Sequence, residues 1–462
     1  MRLLNQRFGP LSFYRSAMSI ALPVMAQQFI MSMVSLIDNF MVAGLGDISM
    51  AAVNISNHLT FVYFVIVNTV CQAGGIYIAQ FKGANDGEGM KNAYRFKVIF
   101  GVIIAVAGIV LCRTIPQTMI AMMTTGNTAR EEIIAIGSNY FTLLSWIFIP
   151  MAISLAIGTS FREIARPKVP LCISAVATLI NTAGNWILIY GNLGAPRLEV
   201  TGAAYATIIA RVFEVVVFVW YAARVKAPFY VHFIKIFHIH RQLIKEILFK
   251  SGMIFASEIS WISSETVMIA MYNRRGGAEV VAGMAAGWTI ANIFFLIFGG
   301  IWTAAGILVG GALGANKLDE ARRRAEWLKS GSVAAGVIVS IPGALLSALI
   351  IPLVFSNLSA AARSTSLGLV LVILVYLPLW GLLNVQFAIS RAGGDTIMGA
   401  IADCTVNFLL FAPGAVILSY FTAIPPVQMF TLLKLTDVIK FIICRQFLKR
   451  ERWVKNLTVG NH

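Results

Sequence analysis

"QFKGAND", residues 80–86, closes one long apolar run, and "GALGANK", residues 311–317, closes another. Their Gly-Ala-Asn triplets stand half a chain apart in a protein of 462 residues. Held without gaps, the register that lays Gly83 on Gly314 also lays Gly46 on Gly277, Ala51 on Ala282 and Phe64 on Phe295. It further matches Ala73, Gly75 and Ile76 to Ala304, Gly306 and Ile307. A single ungapped register of this kind marks an internal repeat, so the chain reads as two halves of like construction.

The composition says what each half is made of. The chain is 58% hydrophobic and 12% charged, against roughly 25% charged in soluble domains, and its mean hydropathy is +0.80. A bilayer crossing takes about 20 apolar residues. Twelve such runs are legible, over 16–43, 51–80, 96–120, 133–158, 168–190 and 201–223, then 248–273, 281–312, 328–355, 365–389, 396–421 and 426–448. The expected fold is an all-α polytopic membrane protein, with twelve transmembrane helices in two pseudo-symmetric six-helix bundles. An N-lobe (1–223), a linker (224–247) and a C-lobe with a basic tail (248–462) follow. Because six is even, the two halves share one orientation, an arrangement that transporters use with a binding cavity between the repeats.

The net charge of +16 is explained by topology. With alternate loops assigned to the cytoplasm from the N-terminus, the outside loops hold only Arg113, Arg130, Arg197, Arg274, Arg275 and Arg363. Nearly all the other Lys and Arg fall inside. This is the positive-inside pattern; it places both termini in the cytoplasm and directs the basic excess to anionic lipid headgroups rather than to nucleic acid. Met1–Arg15 has no cleavable-signal pattern. Cys71, Cys112, Cys172, Cys404 and Cys444 show no metal or redox spacing and read as thiols packed in helices. His232, His238 and His240, in a basic aromatic link, read as part of an interfacial segment rather than a metal site.

Polar residues inside the spans carry the chemistry. An ionised Asp in mid-bilayer costs about 2.5–3.5 kcal/mol on insertion scales and usually faces a bundle interior or an aqueous cavity. Asp38, late in the first span, either lies near the outer headgroups or alternates between protonated and cation-paired states. Asn181 and Asn185 are an i, i+4 pair. Facing Asp38, they would either offer oxygens to a hard cation such as Na⁺ or serve as interhelical hydrogen-bonding glue. Glu258 and Glu265 share a face of the seventh span, and the repeat register sets Glu258 on Gln27, so the halves differ in polar equipment. Arg211 with Glu214, and Asp437 with Lys434 and Lys440, are spaced to neutralise one another. Gln27, Glu265 and Asp403 are candidate polar residues of a substrate cavity, which some of the 18 Met and 30 Phe could line.

Other chemistries find little support. "GLGD" (44–47) formally fits an intramembrane aspartyl protease pattern, but a second Asp at matched depth is missing. No HExxH, GxSxG or Walker A pattern occurs, nor a selectivity-filter motif. The reading is a secondary transporter, not an enzyme, with no cofactor.

At this point the chain resembles the multidrug and toxic compound extrusion (MATE) family. The resemblance lies in "ALPVMAQQFIMSMVSLIDNFMVAGLGDISMAAVNIS" (21–56), "AQFKGAND" (79–86), "INTAGNWILIYGNLGAP" with "VTGAAYATIIARVFE" (180–214), "SEISWISSETVMIAMYNRRGGAEVVAGM" (257–284) and "ISRAGGDT" with "AIADCTVNF" (389–408). It implies a V-shaped pair of lobes in the inner membrane, exporting amphipathic, often cationic compounds in exchange for H⁺ or Na⁺. Asp38 would then be the coupling acid of the first helix, Pro23 the site where that helix bends, and Asn181, Asn185 and Thr207 members of the same N-lobe site. Glu258 would match a seventh-helix acid. A tenth-helix acid of some branches has no counterpart before Asp395. A two-lobed chain with its own cavity can act as a monomer. The alternative is a lipid-linked precursor flippase, or an exporter of one metabolite, on the same scaffold.

Overall fold

The computed structural model describes residues 7–124, 129–232, 235–237 and 241–459; His238 and His240 lie outside the described residues. Twelve helices make up the two lobes. The N-lobe holds α1 (Leu11–Ala43), α2 (Asp47–Gly83), α3 (Gly87–Thr114), α4 (Arg130–Glu163), α5 (Lys168–Tyr190) and α6 (Glu199–Arg224). The C-lobe holds α7 (Arg241–Arg275), α8 (Ala278–Gly314), α9 (Leu318–Val354), α10 (Ala360–Ala392), α11 (Ile397–Phe421) and α12, which runs as Pro426–Lys434 and Thr436–Lys449. A short helix, Pro116–Met123, follows α3.

Among the described residues, ten helices are long and apolar enough to cross a bilayer by length and composition alone; α7 and α12 are not among them. In α7 the reason is its polar load, Glu258 and Glu265 among several Ser; in α12 it is length, since the helix is interrupted at Leu435 into pieces of 9 and 14 residues. Helices also outrun their apolar runs at the basic end. The seventh starts at Arg241 rather than 248 and the ninth at Leu318 rather than 328. Pairs such as Arg322–Asp319 and Arg324–Glu320 support helical turns made of charged residues.

Two helices depart from α geometry where proline removes a donor. In α4 a 3₁₀ turn, Ser145–Ile147, precedes Pro150, and in α11 a π turn, Asn407–Phe411, precedes Pro413. In α1, Pro23 is buried within a helix continuous from Leu11 to Ala43.

The repeat is visible in the packing. Helix α1 packs on α5 and α8, while its mate α7 packs on α11 and α2; α2 and α8 pack on each other. Gly83 and Gly314 make the α2–α8 approach possible. A Cβ on Gly83 would overlap the Gly311 carbonyl, and one on Gly314 would overlap the Gln80 carbonyl. Asn85 and Asn316 both take left-handed backbone, φ 57° and 58°, a conformation Asn tolerates. Asp86 then caps α3 by accepting the Gly89 N–H at 2.9 Å. The Gly-Ala-Asn repeat therefore marks the place where the two halves meet.

The expectation of uniformly packed thiols needs correction: Cys71, Cys112 and Cys444 are buried, but Cys172 is exposed on α5, because its helical face looks away from the bundle.

Candidate ion-coupling site

Helices α1, α5 and α6 converge on a cavity of about 350 Å³ in the N-lobe. The α5–α6 contact is close, because Gly184 lies against Ala206 and Gly202 against the Leu188 carbonyl. This sets Asn181 beside Thr207. Tyr190 fixes the other junction by donating to the Met41 carbonyl at 2.7 Å, which ties α5 to α1 one turn beyond Asp38.

Asp38 is half-buried in the cavity wall. Asn185, 3% exposed, donates its Nδ2 to Asp38 Oδ1 over 2.8 Å, while its own Oδ1 is buried without a partner. Asn181 bridges the other carboxylate oxygen to α6: one end of its amide is 2.8 Å from Asp38 Oδ2 and the other 3.2 Å from Thr207 Oγ1. Thr207 in turn donates to the Ala203 carbonyl at 2.9 Å.

This amide has two chemically sensible settings. Beside an ionised Asp38, its nitrogen must face the carboxylate, and its oxygen then meets Thr207. Beside a protonated Asp38, its oxygen accepts the carboxyl proton and its nitrogen donates to Thr207. The reverse combinations set oxygen lone pairs, or two donors, against each other. Which way the Asn181 amide faces is therefore tied chemically to whether Asp38 carries a proton.

Tyr140, Asn39, Asn57 and Arg211 also line the cavity. Sequence reasoning did not single out Tyr140, Asn39 or Asn57, and their spacing carries no signal that would have done so. Arg211 pairs with Glu214 at 2.8 Å, as its spacing suggested. Glu214 also accepts from Ser174 at 2.7 Å, and Ser174 accepts from Gln27 Nε2 at 3.0 Å. Gln27 thus joins the site through this chain and does not line the cavity.

The remaining candidates lie in the C-lobe, apart from Asp38. Glu258 is 3.6 Å from Arg391 Nη1. Glu265 pairs with Lys434 at 2.6 Å, so Lys434 reaches across to α7 rather than along its own helix to Asp437. Asp403 pairs with Lys440 at 2.9 Å and accepts from Ser257. Lys440 is also 3.8 Å from Asp437, which accepts from Trp380 Nε1 at 2.8 Å. Neither Glu265 nor Asp403 faces the N-lobe cavity, since each is consumed by an ammonium from α12. Arg391, which the sequence placed among loop charges, is instead 6% exposed in the last turn of α10. It stacks on Trp302 at 4.7 Å and donates to Gln72 at 2.8 Å.

The C-lobe network mirrors part of the N-lobe one. Arg391, Asp403 and Lys440 stand at one constant offset from Arg162, Ser174 and Arg211, two residues short of the Gly83–Gly314 register, so each half places a cation at a like point of its last helix. The halves differ at the acid: Asp38 has the apolar Ile269 as its register mate.

Comparison with known proteins agrees with this architecture. The MatE family model matches residues 23–187 and 253–417, one match in each half. The chain is 23% identical over 401 residues to the probable multidrug resistance protein NorM of Halalkalibacterium halodurans, covering 85% of this chain and 82% of that one. It is 24% identical over 438 residues to the probable multidrug resistance protein YoeA of Bacillus subtilis, covering 91% and 90%. A crystal structure of MATE in complex with MaL6 superposes with a TM-score of 0.84 at 17% identity, covering 97% of this chain and 98% of that one. An outward-facing multidrug resistance MATE transporter gives 0.83 at 18% identity, covering 94% and 96%.

Proposed function

As the chain belongs to the MatE family, we propose that it is a secondary antiporter that exports amphipathic, cationic small molecules across the cytoplasmic membrane in exchange for H⁺ or Na⁺. Both termini and the basic end of the bundle face the cytoplasm in this reading, and the two lobes rock to expose the cavity to one side at a time. A single chain holds the whole path and works as a monomer, with membrane lipids as its surroundings.

The observation that carries the reading is the clasp on Asp38: two amides from α5 hold its two carboxylate oxygens inside a cavity. A proton arriving at Asp38 removes a charge and favours the second setting of Asn181. A Na⁺ ion would instead gather the carboxylate and the unpartnered Asn185 Oδ1, oxygen donors suited to a hard cation. Either ion changes what α1 presents to α5 and α6, and Pro23, which leaves the Ser19 carbonyl without its helical donor, gives α1 a place to bend in response. The flippase reading is less favoured, because among the described residues lining the cavity the one basic side chain is Arg211, which is already paired with Glu214.

The test is cationic-dye transport in proteoliposomes under an imposed proton gradient and, separately, an imposed Na⁺ gradient, with Asp38→Asn beside the unmodified protein. The expected result is transport under one gradient, reduced at least tenfold by the substitution. Gradient-driven transport that Asp38→Asn leaves intact would remove Asp38 from the mechanism. No dye movement under either gradient would remove the broad-specificity antiporter reading.

A further inference from the structure

The repeated motif that reveals the two halves also contains a buried glutamine with a connection of its own. Gln80, in "QFKGAND", is 0% exposed. Its Nε2 donates to the Ala392 carbonyl at the end of α10 over 2.7 Å and to the Lys455 carbonyl at 3.3 Å. Its Oε1 accepts the Leu457 N–H at 2.7 Å. One N-lobe side chain thus holds the last turn of a C-lobe helix and the chain terminal to α12.

That terminal stretch is built to reach it. After α12 ends at Lys449, Glu451 takes left-handed backbone, φ 52°, and pairs with Arg322 of α9 at 2.8 Å. Trp453, 6% exposed, covers Gly393 so closely that a Cβ there would overlap the Trp453 carbonyl. Asn456 donates to the Gly314 carbonyl at 3.4 Å, and Leu457, 6% exposed, packs with the N-lobe core. The segment runs over the ends of α10 and α8 and finishes on α2.

Gln80 also belongs to a stripe along α2. Gln72 accepts from Arg391, Tyr77 accepts from Lys250 at 2.8 Å and donates to Glu246 at 2.8 Å, and Gly83 meets Gly311. These contacts all join the two lobes at the basic end. Of their C-lobe partners, only the segment after α12 is free of helical hydrogen bonding, so it is the part that can leave without breaking a helix.

We infer that Gln80 is the positioning residue of an inter-lobe lock and that Trp453–Leu457 is the strap it holds: with the strap seated, the basic end is closed, and the strap must leave Gln80 before the lobes separate there. The claim that this separation occurs during transport rests on the antiporter reading; the lock itself does not. Breaking the Gln80 contacts removes up to three hydrogen bonds and is expected to shift the equilibrium roughly tenfold toward the open form.

The test uses spin labels on Lys82→Cys and Lys317→Cys, both exposed at the basic end, in the full chain with its five native cysteines replaced. Pulsed-dipolar distances are compared for the parent, Gln80→Ala, and Leu457→Pro, which deletes the N–H that Gln80 accepts while keeping Trp453. The expected result is one short distance in the parent and a longer population enriched about tenfold in both variants, each still monodisperse and thermally folded. Unchanged distances in both folded variants would overturn the lock. If both variants open but the parent never does under ion gradients or dye, the lock stands and the antiporter reading falls.

Discussion

Asn185 donates to one oxygen of Asp38 over 2.8 Å while its own carbonyl oxygen, buried at the same spot, has no partner. A buried acceptor left unpaired costs about 1–3 kcal/mol. In the antiporter reading, this oxygen and the Asp38 carboxylate are what an arriving cation would meet.

Replacing Asn185 with Leu removes both the donor to Asp38 and the idle acceptor. Ion-driven transport is expected to fall about tenfold, with the ion concentration for half-maximal transport rising, while the unfolding temperature changes little. Transport rates measured across a series of imposed ion gradients check this; an unaltered ion dependence would show that Asn185 is interhelical glue and nothing more.

Pro23→Ala restores a donor to the Ser19 carbonyl and with it the regular ladder of α1. Proline in a helix interior costs about 3 kcal/mol, so the variant is expected to melt no lower than the parent and to transport several-fold more slowly. Parallel thermal unfolding and transport assays test whether flexibility of α1, rather than its stability, is what Pro23 supplies.

In the C-lobe, Lys440 faces two carboxylates, Asp403 and Asp437. Lys440→Met strands both and is expected to destabilise the lobe by about 3–5 kcal/mol, the range for breaking a buried pair. Asp403→Asn leaves Lys440 with Asp437 and is expected to cost clearly less, and the double variant should recover part of the loss. Unfolding temperatures in detergent that rank Asp403→Asn below Lys440→Met would contradict the pairing described.

Gly314→Leu places a side chain where the Gln80 carbonyl lies. The helices α2 and α8 are then unable to meet, and transport is expected to be lost while helical content by circular dichroism remains. Wild-type transport by this variant would mean that the close approach is dispensable.

Much of this protein was legible from its residues. Apolar run length marked twelve helices, because a bilayer leaves no water for an unpaired backbone and a helix satisfies its backbone groups within itself. The register of Gly83 on Gly314 established two halves, since a repeated sequence folds by the same local rules twice. The spacing of Asn181 and Asn185 put both amides on one face, and their proximity to Asp38 was expected from the family resemblance. Spacing alone did not choose among partners. Which way a helix is rotated, and which neighbour it meets, depends on contacts between residues far apart in the chain. Only the tertiary structure therefore sent Lys434 to Glu265 instead of Asp437, buried Arg391 against Trp302, and kept Asp403 out of the N-lobe cavity. It also brought the segment after α12 back onto Gln80, a join between positions 80 and 457 that no local period of either half encodes.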